Sequence, residues 1–463
     1  MPGYKLISIS GLSPEKVFLA LVLFFGVLWT FIVPPFQAPD EVAHIRRAAA
    51  LSEGLFYPVV RGGVRGNETP AFVYELAQRF GSDAIRFKPH EKQDISAVIS
   101  SAGIKDYDLR FTPYKEFWAP YPPSLFIPQI FAYSLSRMAG LPAILCIWLM
   151  RLFNLFLWTA LVYFSIKLSP VAKWGMVVLA LLPMGVFEAA SAAVDPSVNG
   201  TAFLYTALVF RYAFAEKPER IPAWTVLLLF LLPFFFCVGK VVYLPLTLLP
   251  LTIPRKCFEG GGKKYAFVAT SLTLCALATY LWQASIAPFL LWDGPGEKFG
   301  NLLAHPVKWL YYGLYCFRTQ GMYSQLYVPG VLGWDDTALG RAPRYISLFL
   351  IFAAFITGAG GKRAYISLWQ KVFIFSLFGA CTLLLLFALT SPETGNGLQG
   401  RYFIPLGPIL FSLLYSRRIN AMMTSNKGKN LLVYRRAAVS FSMMAVLIIA
   451  TWKIIARYYV ISA

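Results

Sequence analysis

The stretch VFLALVLFFGVLWTFIVPPFQAPDEVAHIRRAA, residues 17–49, sets an apolar run directly against a crowd of ionisable groups. Residues 17–33 carry no charge, and as a helix rising about 1.5 Å per residue they cover most of a ~30 Å hydrocarbon core. Lipid offers the backbone no hydrogen bonds, so a segment that crosses it bonds to itself, as a helix does. Lys5 and Lys16 precede the run and place the N-terminus on the cytoplasmic side. The run is long for the apolar part of a signal peptide and no A-x-A site follows it, so it stays as an anchor. Asp40, Glu41, His44, Arg46 and Arg47 then crowd at the outer mouth of a membrane span.

The remaining sequence extends this reading. The chain has 463 residues, of which 57% are hydrophobic and 14% charged, and these proportions exclude a soluble globular protein. Further apolar runs at 222–237, 265–290, 372–390 and 437–456 make it an all-α polytopic membrane protein of about 11–12 transmembrane helices. A net charge of +20 would suit nucleic acid, but Lys and Arg gather in the short loops 254–264, 360–371 and 416–436. These are orientation signals for the cytoplasmic side, and no nucleic-acid partner is expected. Six cysteines lie mostly inside apolar runs, with Cys316 alone in a long external loop, so no disulfide framework is visible.

The basic loops fix an alternation. Segments 265–290, 372–391 and 437–459 rise to the external face, 344–359 and 402–416 descend, and by the same rule 196–214 descends, 222–237 rises and 240–253 descends. One transmembrane domain results, with 17–33 as first span, 34–121 as first external loop and 122–290 as core spans. A second large external loop at 291–343 and C-terminal spans over 344–459 complete it. Twelve apolar segments are visible where the alternation holds eleven crossings. The surplus lies between 122 and 192, where either 124–140 is a tilted or interfacial helix or 141–192 is partly re-entrant. In the first loop, TPAFVYELAQRF (69–80) reads as an amphipathic helix on the membrane surface.

Asp40 and Glu41 are adjacent, so at the start of a helix they point about 100° apart, and one acts while the other orients. The same residues read equally as a helix start, with acids in the positive first turn. Arg151, Glu188, Asp195 and Lys240 fall in or at the ends of apolar segments, where charge is costly and a functional reading competes with an internal ion pair. Lys240 in GKVVYLP and Arg401 in GNGLQGRYFIPLG stand at outer helix ends, against the positive-inside trend. Cations there call for an anion such as a phosphate, with Tyr243 and Tyr402 beside them. The loop 291–343 is rich in aromatics and carboxylates, among them His305, Trp334 and Asp335, which suits a sugar ring and equally an interfacial anchor. Three histidines, His44, His90 and His305, are too few for a zinc site, and no cofactor is required, although a divalent cation is compatible with the acidic pair.

PPFQAPDEVAHIRRAAALSEG (34–54) resembles the signature after the first span of the bacterial membrane family DUF2142. Further matches are APYPPSLFIPQ (119–129), ASAAVDP (190–196), GKVVYLPL (239–246) and GRYFIPLGP (400–408). Many relatives carry an aromatic residue after the histidine, where Ile45 stands here. DUF2142 proteins resemble the GT-C glycosyltransferases, which take sugar from a polyprenyl-phosphate carrier and hold an acidic motif in the first external loop. The resemblance implies a GT-C-like bundle and places that motif on Asp40 and Glu41.

The expected protein is thus a multi-pass glycosyltransferase of the bacterial inner membrane, with its site on the external, periplasmic face. It transfers sugar from a polyprenyl-phosphate-linked donor to a glycan or lipid-linked glycan such as O-antigen, in contact with membrane lipid. Asp40 and Glu41 carry the chemistry, Lys240, Arg401 and Tyr402 hold the donor phosphate, and His44, Arg47, Asp195, Tyr243, His305, Trp334 and Asp335 are further candidates. A transporter or flippase of lipid-linked sugars and a polysaccharide polymerase or ligase are the rivals.

Overall fold

Prolines bracket the first helix. In the computed structural model α1 (Pro14–Ile32) starts on Pro14, where a missing N–H costs nothing, and stops before Pro34 and Pro35, which cannot continue it. The structure describes residues 13–113, 120–258, 260–289, 295–316, 331–334, 336–356, 364–391, 395–396, 398–424 and 429–460. After α1 come α2 (Glu41–Ser52), β1 (Val59–Arg61), β2 (Val64–Pro70), α3 (Ala71–Arg79) and β3 (Leu109–Pro113). The body follows with α4 (Ile127–Met138), α5 (Ala143–Leu168), α6 (Lys173–Leu181), α7 (Pro183–Ala189), α8 (Asp195–Ala213) and α9 (Ala223–Gly239). It closes with α10 (Gly261–Ile286), α11 (Arg341–Ile356), α12 (Leu368–Leu389), α13 (Gly407–Leu413) and α14 (Lys429–Tyr459). The architecture is all-α and polytopic, and among the described residues five helices, α1, α5, α10, α12 and α14, are long and apolar enough to cross a membrane.

Contacts sort the chain into two ends. At one end the basic loops meet: Ala215 bridges Ala364, Ile221 N–H donates to Cys257 O, Gln370 donates to Ala213 O and Thr252 O, and Lys371 donates to Tyr415 O. At the other, Trp334 donates to Phe36 O, Trp282 to Pro120 O, and Lys92 to Ala456 O and Arg457 O. Gln93 N–H and Tyr458 O close this second end at 2.7 Å, and Arg457 there holds Ile85 O and the Asp336 carboxylate. Among the described residues the chain passes between the ends along α1, α5, α6–α7, α8, α9, 241–252, α10, α11, α12, 400–413 and α14.

The surplus segment between 122 and 192 is α4. Its twelve residues reach about 18 Å, too short to cross, and it lies along α2 and α5 with Tyr133 and Arg137 on the Glu53 carboxylate. The turn after it sits at the Asp40 end, where Ala143 N–H donates to Ile104 O. The crossing after α5, α6–α7, is broken at Leu182–Pro183.

Two crossings are tighter than the sequence pattern suggests. Val241–Thr252 is a 3₁₀ helix carrying Pro245 and Pro250, and Gly400–Leu406 is a second, carrying Pro405. Proline removes the N–H that an α-helix needs, while the 3₁₀ form rises about 2 Å per residue, so twelve residues reach about 24 Å rather than 18.

The first loop also holds a sheet that was not anticipated. β1 and β2 form a hairpin through Gly62 and Gly63, at φ 55° and 77°, and β3 pairs antiparallel with β2. Two left-handed residues in a two-residue turn match the twist of the flanking strands, which is why glycines occupy both. The helix read at 69–80 is α3, and its apolar face is turned to protein. Phe72, Val73 and Leu76 are fully buried, because this apolar face packs on α2 and α5.

Candidate functional site

The loop between α1 and α2 is strained at two positions. Phe36 and Asp40 have φ of 70° and 61°, a region non-glycine residues enter at a cost, and Asp40 caps α2 by position without a side-chain hydrogen bond. Its carboxylate is therefore free to point elsewhere. What holds the loop is Glu41, wholly buried, which accepts from Phe36 N–H and from Ala192 N–H at 2.9 Å each. Arg151 of α5 grips Glu41 through Nε and Nη2 at 2.7 and 2.6 Å, and spends its other N–H groups on the carbonyls of Thr30, Val33 and Pro34 at the end of α1. These are the terminal acceptors a helix leaves unpaired.

The break between α7 and α8 faces this loop and is just as firmly tied. Asn154 donates to Ser191 O and Ala193 O, Gln129 donates to Ala192 O and Ala193 O, and Val194 N–H donates to His44 Nδ1 at 3.0 Å. Unwound backbone inside a membrane protein is tolerated only where its polar groups find such partners. His44 is consequently a neutral acceptor. Burial pushes its pKa down to about 4, with Asp40 and Asp195 pulling upward and Arg401 and Lys240 downward.

Glu188 and Asp195 stand on the two sides of the break, and Arg401, in the second 3₁₀ segment, joins them to Asp40. Its Nη2 lies 3.0 Å from Asp40 Oδ2, and its Nη1 lies 3.3 Å from Glu188 Oε1 and 4.0 Å from Asp195 Oδ2. Lys240 pairs with Asp195 and sits over the Tyr402 ring at 4.6 Å. Tyr402 is fixed through its carbonyl, which accepts from Tyr243 OH at 2.7 Å. Three carboxylates thus face two cations. The Asp40 side chain is 31% exposed, whereas Glu188 and Arg401 are 3% and 5% exposed, so Asp40 is the carboxylate at the mouth.

The structure brings together Asp40, His44, Asp195, Lys240, Tyr243, Arg401 and Tyr402. Glu41 lies behind them in its knot with Arg151, turned away from the mouth as its neighbouring position on the helix requires. Lys240 and Arg401, read from the sequence as waiting for a phosphate, each already face a carboxylate. Arg47 donates to Phe56 O at 2.9 Å and braces the end of α2. Trp334 touches the Asp40 loop through Phe36 O at 3.3 Å, and His305 is exposed between the helices Pro295–Ala304 and Pro306–Cys316, outside the cluster. Asp335 lies outside the described residues. The member missing from the expected site is Glu188, visible in the sequence only as a costly charge, and Tyr121, whose ring lies 5.6 Å from that of His44, carried no signal. Among the described residues no three His, Cys, Asp or Glu side chains converge as metal ligands.

A family model described as a predicted membrane protein, DUF2142, matches residues 23–410. The chain belongs to DUF2142. The matched span runs from within α1 into α13 and takes in every residue of the charge cluster. No curated protein and no solved structure matches the chain.

Proposed function

We propose that this DUF2142 protein is a GT-C-type glycosyltransferase of the bacterial inner membrane, moving a sugar from a polyprenyl-phosphate donor to a surface glycan, O-antigen being the preferred acceptor. The observation that carries the reading is Asp40: a carboxylate at the mouth of a membrane bundle, freed from capping by a left-handed backbone and aimed by Arg401. The basic loops at the opposite end of the bundle support an external position for this mouth, by the positive-inside trend.

Asp40 takes the proton of the acceptor hydroxyl as its oxygen bonds to the anomeric carbon. The bond from that carbon to the donor phosphate oxygen breaks, and its electron pair stays on the phosphate. Protonation of Asp40 leaves two carboxylates against Lys240 and Arg401, so Arg401 Nη2 is released as negative charge grows on the leaving group. Glu41 acts from behind, by holding the loop.

The test is transfer from radiolabelled undecaprenyl-phosphate hexoses to membrane glycans by the purified protein in nanodiscs. Transfer that survives Asp40→Asn unchanged would falsify the assignment of the base. A flippase of lipid-linked sugars is the second reading, favoured by the helix break between Ala189 and Asp195, since transporters build sites from discontinuous helices. Donor-lipid movement across vesicles without transfer would establish it in place of the first.

A further inference from the structure

Arg151 and Arg401 present the same edge, Nε with Nη2, to a carboxylate, and the two edges are filled differently. On Arg151 Glu41 occupies both positions, at 2.7 and 2.6 Å. On Arg401 Nη2 holds Asp40 at 3.0 Å, while the buried Nε–H has no partner among the described residues. On the far flank of the same guanidinium, Nη1 reaches Glu188 Oε1 at 3.3 Å, and Glu188 Oε2, equally buried, has no partner among the described residues either. Buried ionic groups are rarely left with unmade hydrogen bonds, because the desolvation they suffer on folding is then uncompensated.

The two atoms are of opposite kind, and that restricts which ligand group could pair with both. Nε–H requires an acceptor, and a carboxylate oxygen requires a donor. A phosphate oxygen satisfies the first and is repelled by the second, and an ammonium does the reverse. A hydroxyl group does both.

We propose that the two positions flanking the Arg401 guanidinium are a subsite for the hydroxyls of the sugar. One hydroxyl accepts from Arg401 Nε, and another donates to Glu188 Oε2. Glu188 thereby becomes a sugar-recognising residue beside Asp40, and the phosphate of the donor is left to the mouth. The inference rests on the site being one for sugars and deepens that reading.

The experiment uses the full chain in nanodiscs, with methyl α- and β-glycosides of glucose, galactose and mannose as probes and inorganic phosphate as the contrasting probe, read by saturation-transfer NMR. At least one glycoside binds the wild type, and both Glu188→Ala and Arg401→Lys weaken it about tenfold or more, as expected for a lost hydrogen bond to a charged group. Thermal melting without ligand verifies that each variant is folded, and Glu188→Gln replaces Glu188→Ala where the latter is not. Failure of all six glycosides to bind, or binding indifferent to both variants, overturns the subsite. Phosphate binding that tightens in Glu188→Ala overturns it too, by giving the position to an anion. Glycoside binding without transfer from any donor lipid removes the transferase and keeps the subsite, whereas transfer indifferent to Glu188 does the opposite.

Discussion

Arg401 and Asp40 stand 361 positions apart in the chain and 3.0 Å apart in the structure, Nη2 to Oδ2. Each comes from backbone that is not α-helical, one from a left-handed residue before α2 and the other from a 3₁₀ turn. Non-helical backbone at both ends lets two side chains from distant segments meet at the rim of the bundle.

Asp40→Asn keeps the size of the side chain and the neighbouring Arg401, but cannot take a proton. Transfer is expected to fall by roughly 10²–10⁴-fold, with melting little changed, since Asp40 makes no capping bond. Initial rates and melting curves on the same preparation check both halves, and a melting loss that parallels the rate loss would return Asp40 to a structural role.

Arg151→Met leaves Glu41 buried without its cation and is expected to cost about 3–5 kcal/mol of stability. Joining it with Glu41→Leu recovers much of that loss, because both ends of the pair are then apolar. Denaturant unfolding of the two single variants and the double variant closes the cycle. Additive losses would show that the two residues act independently.

His44 gives a pH signature. The unfolded chain binds a proton on this imidazole near pH 6.5 and the folded chain only near pH 4, because burial disfavours the cation. Between those values the unfolded state holds more protons, so the His44 contribution is complete above pH 6.5 and is lost as pH falls, by about 3 kcal/mol at pH 4. His44→Asn, which keeps an acceptor for Val194 N–H, removes that part of the decline when unfolding is followed from pH 7.5 to 4.

Orientation is checked with single cysteines in a cysteine-free background. Ser96 and Arg418 are exposed at opposite ends of the bundle. Ser96→Cys is expected to react with an impermeant maleimide in intact cells, and Arg418→Cys only after permeabilisation. The reverse pattern would put the charge cluster on the cytoplasmic side and remove lipid-linked donors of the external leaflet from consideration.

Much of this was legible in the sequence, for reasons that differ by residue. The spans declare themselves through uninterrupted apolar length, and Asp40, Asp195, Lys240 and Arg401 through charge at apolar ends. Glu41 was read with Asp40 as one motif because adjacency is all a sequence displays, whereas a helix sends neighbours to different faces and Arg151 claims the second. The sheet was signalled by Gly62–Gly63 but masked by the expectation of helices. The phosphate reading of Lys240 and Arg401 counted cations along the chain, and the carboxylates that meet them arrive from α7 and α8, a pairing only the fold reveals.

The ties from Lys92 and Gln93 to residues 456–458 have a consequence in time. Lys92 precedes its acceptor Ala456 by 364 residues, so at 5–20 residues per second the ribosome needs roughly 20 to 70 seconds to deliver it. For that interval the first loop stands without its last anchors, and Asp40 waits for Arg401 as well. The mouth of the bundle is therefore completed late in biogenesis, and a nascent chain that stalls before the 400–413 crossing is inserted leaves Glu188 and Asp195 facing Lys240 without Arg401.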